Sequence, residues 1–148
     1  MPLYFNVHTN EFTGGEIRGQ LVAIADDNNN IVRGTAGHDL LPGLGGDDII
    51  LGGDGKDVMD GGVGNDTLTG GKDADTFFFS KDFGMDTITD LTSQDQIQFE
   101  DGLFENPQSV LEASEQVGDN VVITLDADNT ITLLDVNLKT LQAHDFLT

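Results

Sequence analysis

GTAGHDLLP (34–42), GLGGDDIIL (43–51), GGDGKDVMD (52–60), GGVGNDTLT (61–69) and GGKDADTFF (70–78) follow one another without a gap, one nine-residue unit read five times. Position 1 is always Gly, position 6 is always Asp (Asp39, Asp48, Asp57, Asp66, Asp75), and position 8 is always apolar (Leu41, Ile50, Met59, Leu68, Phe77). Glycines at positions 1, 2 and 4 let the backbone take positive φ and turn sharply. They also bare carbonyl oxygens, hard ligands of the kind Ca²⁺ prefers, beside a carboxylate at position 6. Residues 7–9 are predicted to form a short strand with one apolar side chain inward and its neighbours outward. A turn followed by a strand makes half a coil, so two units complete one coil. Stacked coils then give two parallel sheets over a thin apolar core.

The unit resembles the G-G-x-G-x-D-x-U-x nonapeptide of the RTX family. The resemblance implies an all-β fold, a right-handed parallel β-roll that holds Ca²⁺ between unit n and unit n+2 on one edge. It also implies the ligands: carbonyls 2 and 4 with Asp 6 of the first unit, carbonyls 1 and 3 with Asp 6 of the second. One edge would then pair Asp39 with Asp57 through the carbonyls of Thr35, Gly37, Gly52 and Asp54. The same edge would pair Asp57 with Asp75 through Gly53, Gly55, Gly70 and Lys72. The other edge would pair Asp48 with Asp66 through Leu44, Gly46, Gly61 and Val63. A half-repeat, ADDNNNIVR (25–33), precedes the run in phase and puts Asn30 at position 6. Asn30 would face Asp48 through its amide oxygen, with the carbonyls of Gly43 and Gly45 completing a site that carries less charge. The number of ions expected is roughly 4–6.

The pattern fades at both ends, as a capped solenoid requires. Asp73 replaces glycine at position 4 of the last full unit. FFFSKDFGMDTITDL then departs from the period by about two residues before Asp86-Thr87-Ile88 restores it. Asp86, Asp90 and Asp95 resemble the closing acidic cluster that follows the last repeat in this family, though the last two acids stand one residue closer together than is usual.

The chain has 148 residues, 27 acids against 6 bases, a formal charge of −21, 19 Gly and no Cys or Trp. The length suits one domain. Such a charge argues against nucleic acid or an anionic membrane surface as partner, since both need basic patches. A Gly- and Asp-rich acidic chain otherwise reads as disordered, and that reading is expected to hold for the repeats without calcium. One inward side chain per nine residues is a small core against the entropy of ordering the turns, and paired ligand carboxylates repel. Calcium is therefore expected to be a folding partner. No secretory leader is visible in residues 1–12, and no apolar run approaches membrane-spanning length. Absence of Cys is compatible with secretion that avoids a disulfide-forming step. The ending His144-Asp145-Phe146-Leu147-Thr148 is similar to the uncleaved signal of type I secretion, which makes that machinery an expected partner; the alternative is simply the end of a cap.

Both flanks differ in composition. YFNVHT (4–9) and GGEIRGQL (14–21) resemble the last two strands of a CHRD domain. Only about twenty residues match, so the chain reads as the C-terminal piece of a longer protein or the product of a shortened gene, with a plain hairpin capping the first coil as the other reading. From Asn106 onward the sequence predicts a C-terminal α+β cap. Asn106-Pro107 starts a short helix running to about Gln116. Residues 120–125 and 130–136 are strands joined by a turn at 126–129, and an amphipathic turn at 138–146 ends the chain. Asp126 and Asp128 read as solvated turn residues, with an ion at that turn as the alternative. The expected division is an N-terminal hairpin over residues 1–24, the roll over 25–101 and the cap over 102–148.

Catalysis finds little support. Ser80, Ser93, Ser109 and Ser114 never sit in G-x-S-x-G, H-E-x-x-H is absent, and His8, His38 and His144 are scattered. The preferred reading is a non-catalytic, monomeric calcium-binding module that folds outside the cell and supports type I secretion of a bacterial protein. The alternative is a calcium-dependent polysaccharide- or cell-surface-binding module. Against an anionic glycan stand the few, dispersed bases Arg18, Arg33, Lys56, Lys72, Lys81 and Lys139.

Overall fold

Eight short strands alternate between two parallel sheets along the repeats. In the computed structural model, which describes residues 25–148, β1 (Ile31–Arg33), β3 (Ile49–Asp54), β5 (Thr67–Lys72) and β7 (Met85–Ile88) lie side by side. Across the core lie β2 (Leu40–Pro42), β4 (Val58–Asp60), β6 (Thr76–Phe79) and β8 (Gln96–Phe99). These pairs make four stacked coils, the β-roll expected from the period. The hairpin and the CHRD-like strands expected within residues 1–24 lie outside the described residues.

Register follows the sequence period. Val32 pairs with Ile50 and Ile50 with Leu68 in one sheet; Leu41 pairs with Met59 and Met59 with Phe77 in the other, always 18 residues apart. Each of these position-8 side chains is at most 2% exposed, whereas Leu40, Ile49 and Val58 at position 7 face solvent. That is the period-2 alternation of a strand with one buried face. The step then becomes 20: Leu68 pairs with Ile88 and Phe77 with Ile97. Two extra residues are absorbed between Phe77 and Ile88, and the insertion adds to the core. Phe79 and Phe83 pack edge to face with ring centroids 5.2 Å apart, and Phe79 pairs with Phe99 across the sheet.

The cap continues both sheets. After the helix α1 (Pro107–Glu112) come β9 (Ser114–Val117), β10 (Asn120–Thr124) and β11 (Thr130–Leu133). β11 adds parallel to β7, with Leu133 over Ile88, and β10 and β9 follow it antiparallel. Two 3-10 turns, Leu138–Thr140 and Ala143–Asp145, lead to β12 (Phe146–Leu147), which adds parallel to β8 with the buried Phe146 over Ile97. The amphipathic turn expected at the end of the chain therefore finishes as a strand.

The helix begins where the sequence predicts. Asn106 accepts the Ser109 N–H, and Ser109 Oγ accepts the Asn106 N–H. It ends at Glu112, four residues before the expected Gln116. Ser114 to Gln116 belong to β9, whose backbone pairs with β10, and the Gln116 amide is tied to the carbonyls of Gly118, Asn120 and Val136. Sheet pairing overrides the helical pattern there. No helix among the described residues is long and apolar enough to cross a membrane.

Cutting the chain after Glu105 removes β9 to β12 and bares the edges of β7 and β8 together with Ile88, Ile97 and Phe99. The shortened chain should stay coil-like or aggregate at millimolar Ca²⁺, followed by circular dichroism and light scattering. A monomeric, fully β product with an unchanged calcium midpoint would show that the repeats cap themselves.

Candidate metal centre

Position-6 side chains form two columns, one along each edge of the roll. Along the first edge Asp57 Oδ1 accepts the Asp39 N–H at 2.8 Å, Asp75 Oδ1 the Asp57 N–H at 2.9 Å, and Asp95 Oδ1 the Asp75 N–H at 2.9 Å. Along the second edge Asp48 Oδ1 accepts the Asn30 N–H, Asp66 Oδ1 the Asp48 N–H and Asp86 Oδ1 the Asp66 N–H, each at 2.7 Å. One oxygen of each of these carboxylates thus satisfies an amide of the preceding coil. Except at Asp95, the other oxygen does not find a partner. Asp48, Asp57, Asp66, Asp75 and Asp86 each bury Oδ2, and Asp39 buries Oδ1, with no hydrogen-bond donor in reach. A buried unpaired carboxylate oxygen is costly, and here the cost recurs at every coil.

The glycines show what surrounds those oxygens. Position-1 glycines are not left-handed, contrary to the reason given for them by the sequence reading. They are needed for space. A Cβ on Gly52 would collide with the Gly70 carbonyl oxygen and lie 2.6 Å from Asp57 Oδ2; one on Gly43 would meet the Gly61 oxygen and Asp48 Oδ2 in the same way. A position-1 carbonyl and the partnerless carboxylate oxygen of the coil before it therefore converge on one glycine. Positions 2 and 4 do carry the positive φ expected of them at Gly53, Gly55, Gly62, Gly64 and Gly71, and also at Leu44 and Asp73 where the unit lacks glycine. A Cβ on Gly53 or Gly55 would strike the carbonyl oxygen of Thr35 or Gly37, and one on Gly62 or Gly64 that of Leu44 or Gly46. Carbonyls at positions 2 and 4 thus face the next coil. Two of them also accept hydrogen bonds, Thr35 from Asp54 N–H and Leu44 from Val63 N–H, which leaves each a second lone pair.

Electrostatics agree with the geometry. In the metal-free chain, burial pushes Asp66 and Asp75 up to about 6 and Asp86 up to about 8, with smaller upward pushes from neighbouring carboxylates. Asp48 and Asp57 are raised too, chiefly by burial. Hydrogen bonds from the preceding coil oppose the shift at each of these residues. Folding therefore favours the protonated carboxyls. That contribution is complete below the ordinary carboxylate range near 4 and is lost as pH rises through about 6 for Asp66 and Asp75 and about 8 for Asp86. At neutral pH the columns want a cation. Among the described residues no three His, Cys, Asp or Glu side chains converge on one point, so a cation here draws mainly on backbone carbonyls. Buried partnerless carboxylate oxygens beside convergent carbonyls fit a hard ion such as Ca²⁺.

The remaining sequence-stretch candidates separate. Asp86, Asp90 and Asp95 do not form one closing cluster: Asp86 extends the second edge, Asp95 ends the first, and Asp90 accepts the N–H groups of Gly70 and Gly71. Both oxygens of Asp95 are used, the second by Thr92. Asp90 and Asp95 both lie near enough to Asp75 to push its carboxyl up, whereas Asp86 belongs to the other edge. Asn30 holds its place through its backbone N–H, while its amide nitrogen turns back onto Asp26. Asp126 is a turn residue that accepts from Asp128 N–H and from Asn129. Two features escaped the sequence reading. Position 5 builds a second ladder of opposite sense, with Asn29, Asp47 and Asn65 accepting the N–H groups of Asp47, Asn65 and Met85. The 18-residue spacing of Asn29, Asp47 and Asn65 was the available signal. Asp60, at position 9, is half-buried and near enough to Asp66 and Asp86 to raise both.

The family described as the RTX calcium-binding nonapeptide repeat (four copies) matches residues 24–59 and 51–85, and a CHRD domain matches residues 1–21. Among solved structures, the extracellular lipase LipA from Serratia marcescens is similar at a TM-score of 0.71 and 26% identity, over 85% of this chain and 20% of the lipase. The AlgE6R3 subunit of the Azotobacter vinelandii mannuronan C5-epimerase is similar at a TM-score of 0.65 and 30% identity, over 91% of this chain and 86% of the subunit. The AlgE6R2 subunit of the same enzyme follows at 0.54 and 27%, over 78% and 91%. The chain thus spans a fifth of the lipase but most of each epimerase subunit. Curated protein sequences give no match. With its repeat, its roll and its partnerless carboxylates in view, the chain belongs to the RTX calcium-binding nonapeptide-repeat family, as a calcium-binding β-roll module.

Proposed function

We propose that this chain is a non-catalytic module whose roll folds when Ca²⁺ binds outside the cell, and that this coupling serves type I secretion and stability of a secreted bacterial protein. The observation that carries the reading is the row of six buried carboxylate oxygens without partners. Low calcium leaves those oxygens, and the repulsion between them, uncompensated, so the chain stays open. Millimolar calcium outside the cell compensates them, so folding follows export. The extracellular lipase among the similar structures supports the secreted setting.

Within the roll, Asp39 and Asp57 are proposed to share one ion with the carbonyls of Thr35, Gly37, Gly52 and Asp54. Asp57 and Asp75 share the next with Gly53, Gly55, Gly70 and Lys72. On the other edge Asp48 and Asp66 act with Leu44, Gly46, Gly61 and Val63, and Asn30 and Asp48 with Gly43 and Gly45. The column geometry adds Asp66 with Asp86, whose Oδ2 is also partnerless. The bound ion supplies charge compensation for these oxygens. The residues supply spacing, with each N–H rung holding successive carboxylates in line and the glycines leaving room for the carbonyls.

Titrating Ca²⁺ into chelated protein should convert a coil-like circular dichroism spectrum to β cooperatively, with a midpoint at roughly 10⁻⁴–10⁻³ M. Ligand carboxylates must be ionised to hold a metal, so the midpoint should be higher at about pH 5 than at neutrality. A spectrum already fully β in chelator at neutral pH contradicts the proposal.

Asp57 serves two of the proposed sites and Asp39 one. Asp57→Ala should therefore raise the calcium midpoint more than Asp39→Ala and remove two ions in native mass spectrometry. Asp47→Ala removes only an exposed hydrogen bond to Asn65 N–H, a loss of about 0.5–1.5 kcal/mol, and should leave the ion count unchanged. Equal damage from Asp47→Ala and Asp57→Ala would overturn the ligand assignment.

A further inference from the structure

Two turns of the roll lack a carbonyl that the others have. A Cβ on Gly34, Gly43 or Gly52 would lie 2.0 to 2.3 Å from the position-1 carbonyl oxygen of the next coil. On Gly61 the three nearest atoms all belong to Asp66, with Oδ2 at 2.2 Å, and no carbonyl comes as close. The slip in the period accounts for the difference. Eighteen residues beyond Gly61 stands Phe79, which is buried in β6 and gives its carbonyl to the Glu100 N–H at 2.9 Å. Asp66 Oδ2 and Asp86 Oδ2 are both buried without a partner on this edge. The pair therefore demands as much of a cation as its neighbours do, with one carbonyl fewer to hold it.

An acid stands just before this turn. Position 9 of the five units reads Pro42, Leu51, Asp60, Thr69 and Phe78, so the run holds a single acid there, and it precedes Gly61. Asp60 is half-buried at the end of β4, and its Oδ1 accepts the Gly62 N–H at 3.1 Å. Gly62, with φ of +88°, is position 2 of its unit, the place from which Leu44 turns its carbonyl toward the next coil. Asp60 is also near enough to both Asp66 and Asp86 to push their carboxyls up. No three acidic side chains among the described residues converge on one point, so Asp60 stands beside the pair and is not a third ligand. The first edge repeats the combination. At Gly70 the nearest atoms are those of Asp75 and the Phe77 ring, again with no carbonyl, and Asp90 accepts the N–H groups of Gly70 and Gly71 while pushing Asp75 up. A missing carbonyl and an added carboxylate on the leading amides of the turn thus occur together twice.

We propose that Asp60 is a positioning residue for the ion shared by Asp66 and Asp86: it holds the turn at Gly62 and supplies negative charge beside the pair in place of the absent carbonyl. The inference rests on the calcium site proposed above for that pair. Its sign can be read in advance. Without a cation the charge of Asp60 is unfavourable, because the carboxylate is half-buried and repels Asp66 and Asp86. With a divalent ion held by the pair the same charge is attracted, and the attraction outweighs the repulsion. Neutralising Asp60 therefore eases folding if the residue only shapes the turn, and weakens calcium binding if it serves the ion.

Asp60→Asn keeps an oxygen for the Gly62 N–H and removes the charge. In the full chain its calcium midpoint, followed by circular dichroism, should rise at least about threefold. Native mass spectrometry at sub-saturating Ca²⁺ should show one ion fewer than in the unaltered chain. Combined with Asp86→Asn, which removes a carboxylate of the same pair, Asp60→Asn should add nothing further. Combined with Asp39→Asn on the other edge it should keep its full effect. An unchanged or lowered midpoint in the single variant, or the same rise persisting beside Asp86→Asn, overturns the inference. Should the double variant fail to fold, the ion count of Asp60→Asn decides: one ion fewer supports the assignment, and a full complement removes it. An unaltered chain already β in chelator would remove the calcium reading and this inference with it, whereas calcium-driven folding indifferent to Asp60 removes this inference alone.

Discussion

Asp48, Asp57, Asp66, Asp75 and Asp86 each have two oxygens in unlike situations. One accepts an amide from the coil before it, and the other is buried with no partner. The first oxygen ties successive coils together and sets their spacing. The second makes that tie unfavourable unless a cation is supplied. On the proposed reading, position 6 is therefore both the rung of the solenoid and the source of its demand for a cation. The core of the regular repeats is thin, since β1 to β5 each bury one apolar side chain, Val32, Leu41, Ile50, Met59 and Leu68.

Other features of the roll follow from this arrangement. Glycine recurs at position 1 because the carbonyl of the next coil and the carboxylate meet where a Cβ would stand. Positive φ at positions 2 and 4 turns further carbonyls toward the neighbouring coil. The upward shifts of Asp66, Asp75 and Asp86 are the same constraint seen as proton affinity: burial disfavours the anion, and a proton or a metal ion can relieve it. At the cap a neutral amide, Asn129, accepts the Gly84 N–H.

Much of this was legible in the repeat itself. A strict period of nine with one apolar position predicted the strands, their parallel register and the inward side chains from Leu41 to Phe77. The two-residue slip after Phe78 was visible as well, but its consequence was not. Sequence proximity suggested that Asp86, Asp90 and Asp95 close the roll together, whereas Asp86 extends the second edge and Asp90 and Asp95 lie near Asp75 on the first. The helix end was misplaced because Ser114 and Gln116 are held by partners in β10 and near Val136, contacts that no local pattern encodes. The position-1 glycines were recognised by type, yet their reason is contact between coils, which only stacking reveals.

Amide hydrogen exchange at Asp39, Asp48, Asp57, Asp66 and Asp75 tests the central constraint directly, since each of these N–H groups is a rung. With saturating Ca²⁺ all of them should be strongly protected. In chelator at neutral pH they should exchange at rates close to those of an unfolded chain, because the carboxylates that accept them are not held in line. Protection of the same magnitude with and without calcium would contradict the account, since the rungs would then stand without a cation to compensate the second oxygen.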